Sequence, residues 1–153
     1  MSDQAANELI IYNGEHHHGV DDKRRVQIPA RWCPSKSVEF TLVAWPKHQA
    51  GTCLRAMPVE PMVKLMQQLE AMPSSDPNKD LLKRLIGSQS IQVKLDNAGR
   101  ICIPEGLAKS ADITDKAVVV GLLDRFEIWS SARYEKVRTI DAILGVRAYE
   151  MMG

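Results

Sequence analysis

Net charge is nearly absent from this chain: 20 Lys and Arg against 19 Asp and Glu leave +1 over 153 residues. Overall charge therefore gives no hint of a nucleic-acid partner. Cysteine is scarce and unpatterned. Cys33, Cys53 and Cys102 form no CxxC pair, and an odd number leaves one unpaired under any disulfide scheme, which points to a reducing compartment. No apolar run approaches the roughly 18 residues of a membrane span, and the polar start MSDQAANE does not read as a secretory leader. A glycine-rich phosphate loop is missing, and so is a nucleophile with a base to activate it. Adjacent Asp21 and Asp22 would face opposite ways on extended backbone, so they make no acid–base dyad. These absences argue against an enzyme. They leave the expectation of a soluble cytoplasmic protein with no cofactor, no small-molecule substrate and no membrane partner.

What is present is local. Residues 20–36 carry Lys23, Arg24, Arg25, Arg31 and Lys36 against Asp21 and Asp22. Residues 79–100 carry Lys79, Lys83, Arg84, Lys94 and Arg100 against Asp80 and Asp96. Each basic island runs into one copy of a repeated phrase, VDDKRRVQIP at 20–29 and LDNAGRICIP at 95–104. Both copies read aliphatic, Asp, three turn-like residues, Arg, aliphatic, any residue, Ile, Pro.

The repetition extends past the phrase. RVQIPARW is followed by the apolar run VEFTLVAWP, the strand TCLRAMP and the amphipathic stretch VEPMVKLMQQLEAM. RICIPEGLAKSADI is followed by KAVVVGLL, RFEIWS and SARYEKVRTIDAIL in the same order. Two copies of one supersecondary plan account for this better than a chance motif. ELIIYNGEHH and SQSIQVKLD read as first strands running up to each motif Asp, and second strands begin at Arg25 and Arg100. Pro29 and Pro104 end those strands and open short helical turns. Met62, Leu65, Met66 and Leu69 predict one buried helical face. Leu81, Leu82, Leu85 and Ile86 predict a second helix, capped by Ser75 or Asp76 with Pro77 at its first position. The expected boundaries are 8–72 for the first repeat (core about 15–58) and 76–145 for the second (core about 90–133).

Asp96-Asn97-Ala98-Gly99 between alternating runs is a hairpin signal, since Asp and Asn bond their own backbone and Gly supplies positive φ. The motif Asp can also brace the Arg four residues on. By itself that pairing need only stiffen a turn. Its duplication within basic islands favours nucleic-acid binding, because Arg suits bidentate contact with guanine. An Arg held by Asp on a rigid turn also has little rotamer freedom left to lose on binding.

Two Asp-x-x-x-Arg phrases, each with an Ile-Pro strand end, resemble the paired SpoVT/AbrB-like repeats of the bacterial MraZ family of transcriptional regulators. The segment DPNKDLLKRLIGSQSIQVKLDNAGRICIP and the ending VVVGLLDRFEIWSSARYE extend the resemblance over nearly the whole chain. The resemblance implies an α+β fold of two tandem swapped-hairpin, β-barrel-type modules forming an intramolecular pseudo-dimer with flanking helices. It also implies ring-like homo-oligomers, nucleoid association, and binding of double-stranded DNA at short G-containing direct repeats upstream of the division and cell-wall gene cluster. On the matched positions, Arg25 and Arg100 are the expected base readers, and Asp21 and Asp96 orient them. Lys23 and Arg24 are expected to touch phosphate or add readout; Lys83, Arg84 and Lys94 are weaker candidates. Arg24 departs from the family pattern, which has Gly there as the second copy does at Gly99. Either Arg24 strains the turn or the first turn takes another geometry.

One module with two reading arginines specifies only a few base pairs, so useful specificity calls for several modules on repeated boxes. The alternative reading is a protein-interaction module of antitoxin type, although such proteins usually append a disordered tail. EHHH at 15–18 lacks partner ligands at a convincing spacing, so no metal site is expected. These histidines are read as an exposed strand near the DNA side, partly protonated and adding pH-dependent affinity. Cys53 and Cys102 are expected in the core, Cys33 packs beside Trp32, and nothing orients His48 as a base.

Overall fold

The computed structural model describes residues 9–35 and 37–153. Glu8, where the first expected strand and repeat begin, and Lys36 of the first basic island lie outside them. The architecture is α+β. Strands β1 (Glu15–Gly19), β2 (Arg25–Gln27), β3 (Glu39–His48) and β4 (Gly51–Met57) come from the first half. Strands β5 (Ser90–Lys94), β6 (Arg100–Cys102), β7 (Lys116–Gly121) and β8 (Phe126–Ser130) repeat them in order. A 3₁₀ turn at Ala30–Trp32 stands where the second half has helix α3 (Glu105–Ser110); helices α1 (Val59–Glu70), α2 (Pro77–Ser88) and α4 (Ser131–Tyr149), with a last 3₁₀ turn at Glu150–Met152, make up the remaining helical elements.

The halves are interleaved rather than adjacent. Six strands form an antiparallel sheet in the order β1-β7-β8-β4-β3-β5, and β2 pairs with β6 in a separate ribbon. Exchanging the first four strands for the second four maps this order onto itself. The described strands close no barrel, contrary to the barrel-type expectation: β1 and β5 are free edges of the larger sheet. The three-residue ribbon strands end before Pro29 and Pro104, which have no N–H to extend the ladder.

Between the sheet and the ribbon lies the main core. Val26, Ile28, Ile101 and Ile103 point in from the ribbon side and meet Phe40, Leu42, Leu54, Phe126 and Ile128 of the sheet. Trp32, fully buried, stacks 4.9 Å from Phe126. Fully burying side chains of this size stabilises the fold by about 1.5–3 kcal/mol each. The first expected strand is shorter than its apolar pattern. Gly14 takes φ +94, and Tyr12 instead bridges to Leu123 and enters the aromatic cluster. Its backbone crosses Gly121 so closely that a Cβ there would lie 2.3 Å from the Tyr12 carbonyl. A smaller cluster of Cys53, Trp129 and Val137 joins the other face of the sheet to α4.

Asp76 caps α2, accepting from the Asn78 N–H at 2.8 Å. The predicted apolar faces are only partly covered. Leu69 is buried, but Met66 is 55% exposed, and Leu81, Leu82 and Leu85 all face solvent. No residue of α2 is buried, and its link to α1 is polar: Lys83 pairs with Glu70, and Lys79 Nζ donates to the Glu70 carbonyl. The distal part of α4 likewise exposes Ile143, Leu144, Val146 and Tyr149. No helix among the described residues is long and apolar enough to cross a membrane.

Candidate nucleic-acid interface

The two phrases fold into turns with the same hydrogen-bond pattern. Asp21 Oδ1 accepts from the N–H groups of Lys23 (3.0 Å) and Arg25 (2.8 Å), and its Oδ2 accepts from Arg25 Nε at 2.6 Å. Asp96 Oδ1 accepts from the N–H groups of Ala98 and Arg100, and Oδ2 from Arg100 Nε, all at 2.9 Å. Behind each side chain the backbone closes the same loop. Arg24 N donates to Asp21 O at 2.9 Å, and Gly99 N to Asp96 O at 3.0 Å. Hydrogen bonds from the Arg25 and Arg100 backbone N–H groups are the leading cause that holds the Asp21 and Asp96 carboxyls below their ordinary range. The bond to Asp21 in turn raises Arg25. Both carboxylates are charged at neutral pH, and each fixes its arginine through Nε, leaving the outer guanidinium nitrogens for a ligand.

Arg24 takes φ +59 where Gly99 takes +79. Of the two geometries open to the first turn, it therefore keeps the left-handed one, which costs a side-chain-bearing residue about 1–2 kcal/mol. A hydrogen bond from Arg24 Nε to the Ile103 carbonyl of the other repeat, 2.9 Å, offsets part of that cost.

The ribbon sets the turns side by side, pairing Arg25 with Cys102, Val26 with Ile101 and Gln27 with Arg100. Val26 and Ile101 are fully buried, so strand alternation puts Arg25, Gln27, Arg100 and Cys102 together on the outer face. The arginines occupy diagonal corners, each side chain 32% exposed. Arg100 Nη1 lies 3.8 Å from Asp21 Oδ2, which links the two turns electrically. A hollow of about 290 Å³ beside them is lined by His18, Asp21, Arg25, Gln27 and Arg100, among others. The concave face therefore presents two arginines, each paired with its own aspartate, beside one hollow.

The remaining predicted residues divide. Lys23 is exposed at the tip of the first turn, while Arg24 is half-buried. Lys83 is paired with Glu70 on α2, and Arg84 and Lys94 are exposed on α2 and β5. The histidines share no single role. His16 packs edge-on against Trp32 at 5.3 Å, and His17 joins Glu15 and Arg138. His18 lines the hollow, but burial, with His16 and His17 nearby, pushes its pKa down. No group of three potential metal ligands occurs among the described residues. His48 Nε2 pairs with Asp141 of α4 at 3.0 Å, and its Nδ1 accepts from the Ala50 N–H. Cys53 is buried and Cys33 half-buried, but Cys102, expected in the core, is exposed. Its neighbours Ile101 and Ile103 take the inward positions, so alternation turns Cys102 out. Gln27 went unrecognised as a site residue, although the same alternation beside Val26 and Ile28 places it outward.

A protein family described as "MraZ protein, putative antitoxin-like" matches residues 88–142. Curated relatives match far more of the chain. The transcriptional regulator MraZ of Moorella thermoacetica is 32% identical over 126 residues, covering 82% of this chain and 85% of that protein. The transcriptional regulators MraZ of Roseiflexus castenholzii (83% of this chain, 86% of that protein) and Leuconostoc citreum (82% and 85%) are each 33% identical.

Proposed function

The chain belongs to the MraZ family of transcriptional regulators, and from that premise we propose that it reads short G-containing direct repeats through Arg25 and Arg100. The observation that carries this reading is the pair of matched turns on one ribbon, each presenting an Asp-braced arginine on the outer face. Guanine offers the O6 and N7 acceptors that an arginine fork fits. Lys23 and the free guanidinium nitrogens of Arg24 contact flanking phosphates. The sites lie upstream of the division and cell-wall gene cluster, and the protein works in the cytoplasm at the nucleoid.

The two repeats act as an intramolecular pseudo-dimer of SpoVT/AbrB-like type, a reading favoured by the sheet order, which survives exchange of the halves. Ring-like homo-oligomers would set several such readers on successive boxes. The exposed apolar residues of α1, α2 and the end of α4 favour assembly. The same α4 end also fits a second protein, as an antitoxin-type module would require, and stoichiometric co-purification of a foreign chain from the native host would favour that alternative.

The test is a gel shift on DNA upstream of the protein's own gene. Arg25→Ala or Arg100→Ala should each weaken specific binding about tenfold or more and relax base preference. Wild-type binding by both variants would refute the assignment.

A further inference from the structure

We infer that Gln27 is a third base-reading side chain and gives the DNA box read by one chain its direction; this rests on the assignment of Arg25 and Arg100 as base contacts. Four side chains stand on the outer face of the ribbon. Exchanging the repeats swaps Arg25 with Arg100 and Gln27 with Cys102. The first exchange leaves the chemistry unchanged, and the second does not.

Gln27 Nε2 donates to the carbonyls of Ala98 and Gly99, both at 3.1 Å. Carbonyl oxygens only accept, so nitrogen must be the amide atom turned toward them. Oε1 is left as an acceptor with no protein donor among the described residues, on a side chain that lines the hollow with both arginines. At the matching position Cys102 Sγ lies 3.3 Å from the Lys23 carbonyl, and a thiol is a poor hydrogen-bonding group in either direction.

The neighbouring turn residues are matched to this difference. A Cβ on Gly99 would lie 3.0 Å from Gln27 Nε2, so glycine at 99 leaves the Gln27 amide its present place, and any side chain there would make it shift. Arg24, which carries a Cβ, stands in the corresponding place beside the shorter Cys102. The asymmetry of the turns thus accompanies the asymmetry of the outer face.

What Oε1 selects follows from the base edges. In the major groove the hydrogen-bond donors are the exocyclic amines of adenine and cytosine. Arginine presents donors alone and selects guanine. Gln27 therefore selects an amine-bearing base on one side of the box, and Cys102 makes no matching selection on the other. With Nε2 already engaged, the bidentate adenine pair is closed to it, and discrimination is that of a single hydrogen bond. The box then reads differently in its two orientations.

Site selection from a randomised duplex pool, followed by affinities for single-base variants of the selected box, tests this on the full chain. In Gln27→Met, the preference for A or C over G or T at one position, about two- to tenfold in the wild type, flattens while guanine preferences persist. Uniform weakening with every preference intact would make Gln27 only a clip for the second turn and overturn the inference. Arg24→Gly with Cys102→Gln copies the Gly99–Gln27 pair into the other half and does not depend on the folding of the Gln27 variant. It should gain an A or C preference at the symmetry-related position; gaining none would also overturn the inference. Arg25→Ala and Arg100→Ala separate the two levels. Survival of the guanine preferences in both variants refutes base reading by the arginines. Their loss, with no preference changed by Gln27→Met, refutes the role of Gln27 alone.

Discussion

Gly99→Ala should destabilise the protein by about 2 kcal/mol, the sum of three effects. The left-handed backbone at φ +79 costs an L side chain about 1–2 kcal/mol. The new Cβ, 3.0 Å from Gln27 Nε2, displaces the amide and weakens its bonds to the carbonyls, a loss of up to about 0.5–1.5 kcal/mol. Alanine returns about 0.4–1 kcal/mol by restricting the unfolded chain. In a chain of this size the result is a drop of about 4–8 °C in Tm. Urea unfolding should be followed at one fixed protein concentration, since assembly would make the midpoint concentration-dependent. Gln27→Ala in both backgrounds closes a double-mutant cycle. Beyond its chain neighbours, no other atom of the described residues lies within 4 Å of that Cβ, so the clash vanishes with the glutamine and a coupling of up to about 0.5–1.5 kcal/mol remains. Arg24→Gly is the counterpart in the first turn. Strain relief of about 1–2 kcal/mol is balanced there by the lost Ile103 bond and a freer unfolded chain, leaving stability close to wild type. A Gly99→Ala variant within about 0.5 kcal/mol of wild type, or a cycle without coupling, would refute this account of the turn.

Three further outcomes follow from the same geometry. Asp21 and Asp96 sit below the ordinary carboxylate value of 3.8, so their stabilisation is complete above that value and lost as pH falls through the lower folded values. Acid unfolding curves should therefore flatten in an Asp21→Asn/Asp96→Asn variant, and an unchanged acid limb would contradict the bracing role. Lys23→Ala should weaken binding to all sequences alike and reduce the salt slope of log K by about 0.9, the value for one phosphate contact. A change in base preference would instead make Lys23 a reader. Alkylation of the native protein should label Cys102 first, because burial raises Cys33 to about 11 and Cys53 further still; mass mapping that finds Cys53 modified first would contradict the packing around Trp129.

The turns were legible in the sequence because their physics is local. Asp, the turn residues and Arg lie within five positions, and their hydrogen bonds close within the same span. The doubling of strands and the Asp76–Pro77 helix start were legible for the same reason. Strand partners were not, since nothing in β1 or β5 specifies that it pairs with a strand from the other half of the chain. The Arg24 backbone could not be decided either, because the compensating acceptor, the Ile103 carbonyl, lies 79 positions away. Leu81, Leu82 and Leu85 show the limit of periodicity. It identifies an apolar face but not whether the same chain covers it.

The order of strands in the sheet also bears on how the chain is made. Among the described residues, β1 pairs as a strand only with β7, and β2 only with β6. A ribosome that has released the first 75 residues has therefore released strands whose partners do not yet exist. The ribbon cannot close until Cys102 emerges, nor the first edge until Gly121. The β3–β4 hairpin can form from the first half alone, but the ribbon and the β1 edge wait for the second. Neither turn can take its place beside the other before both have been translated.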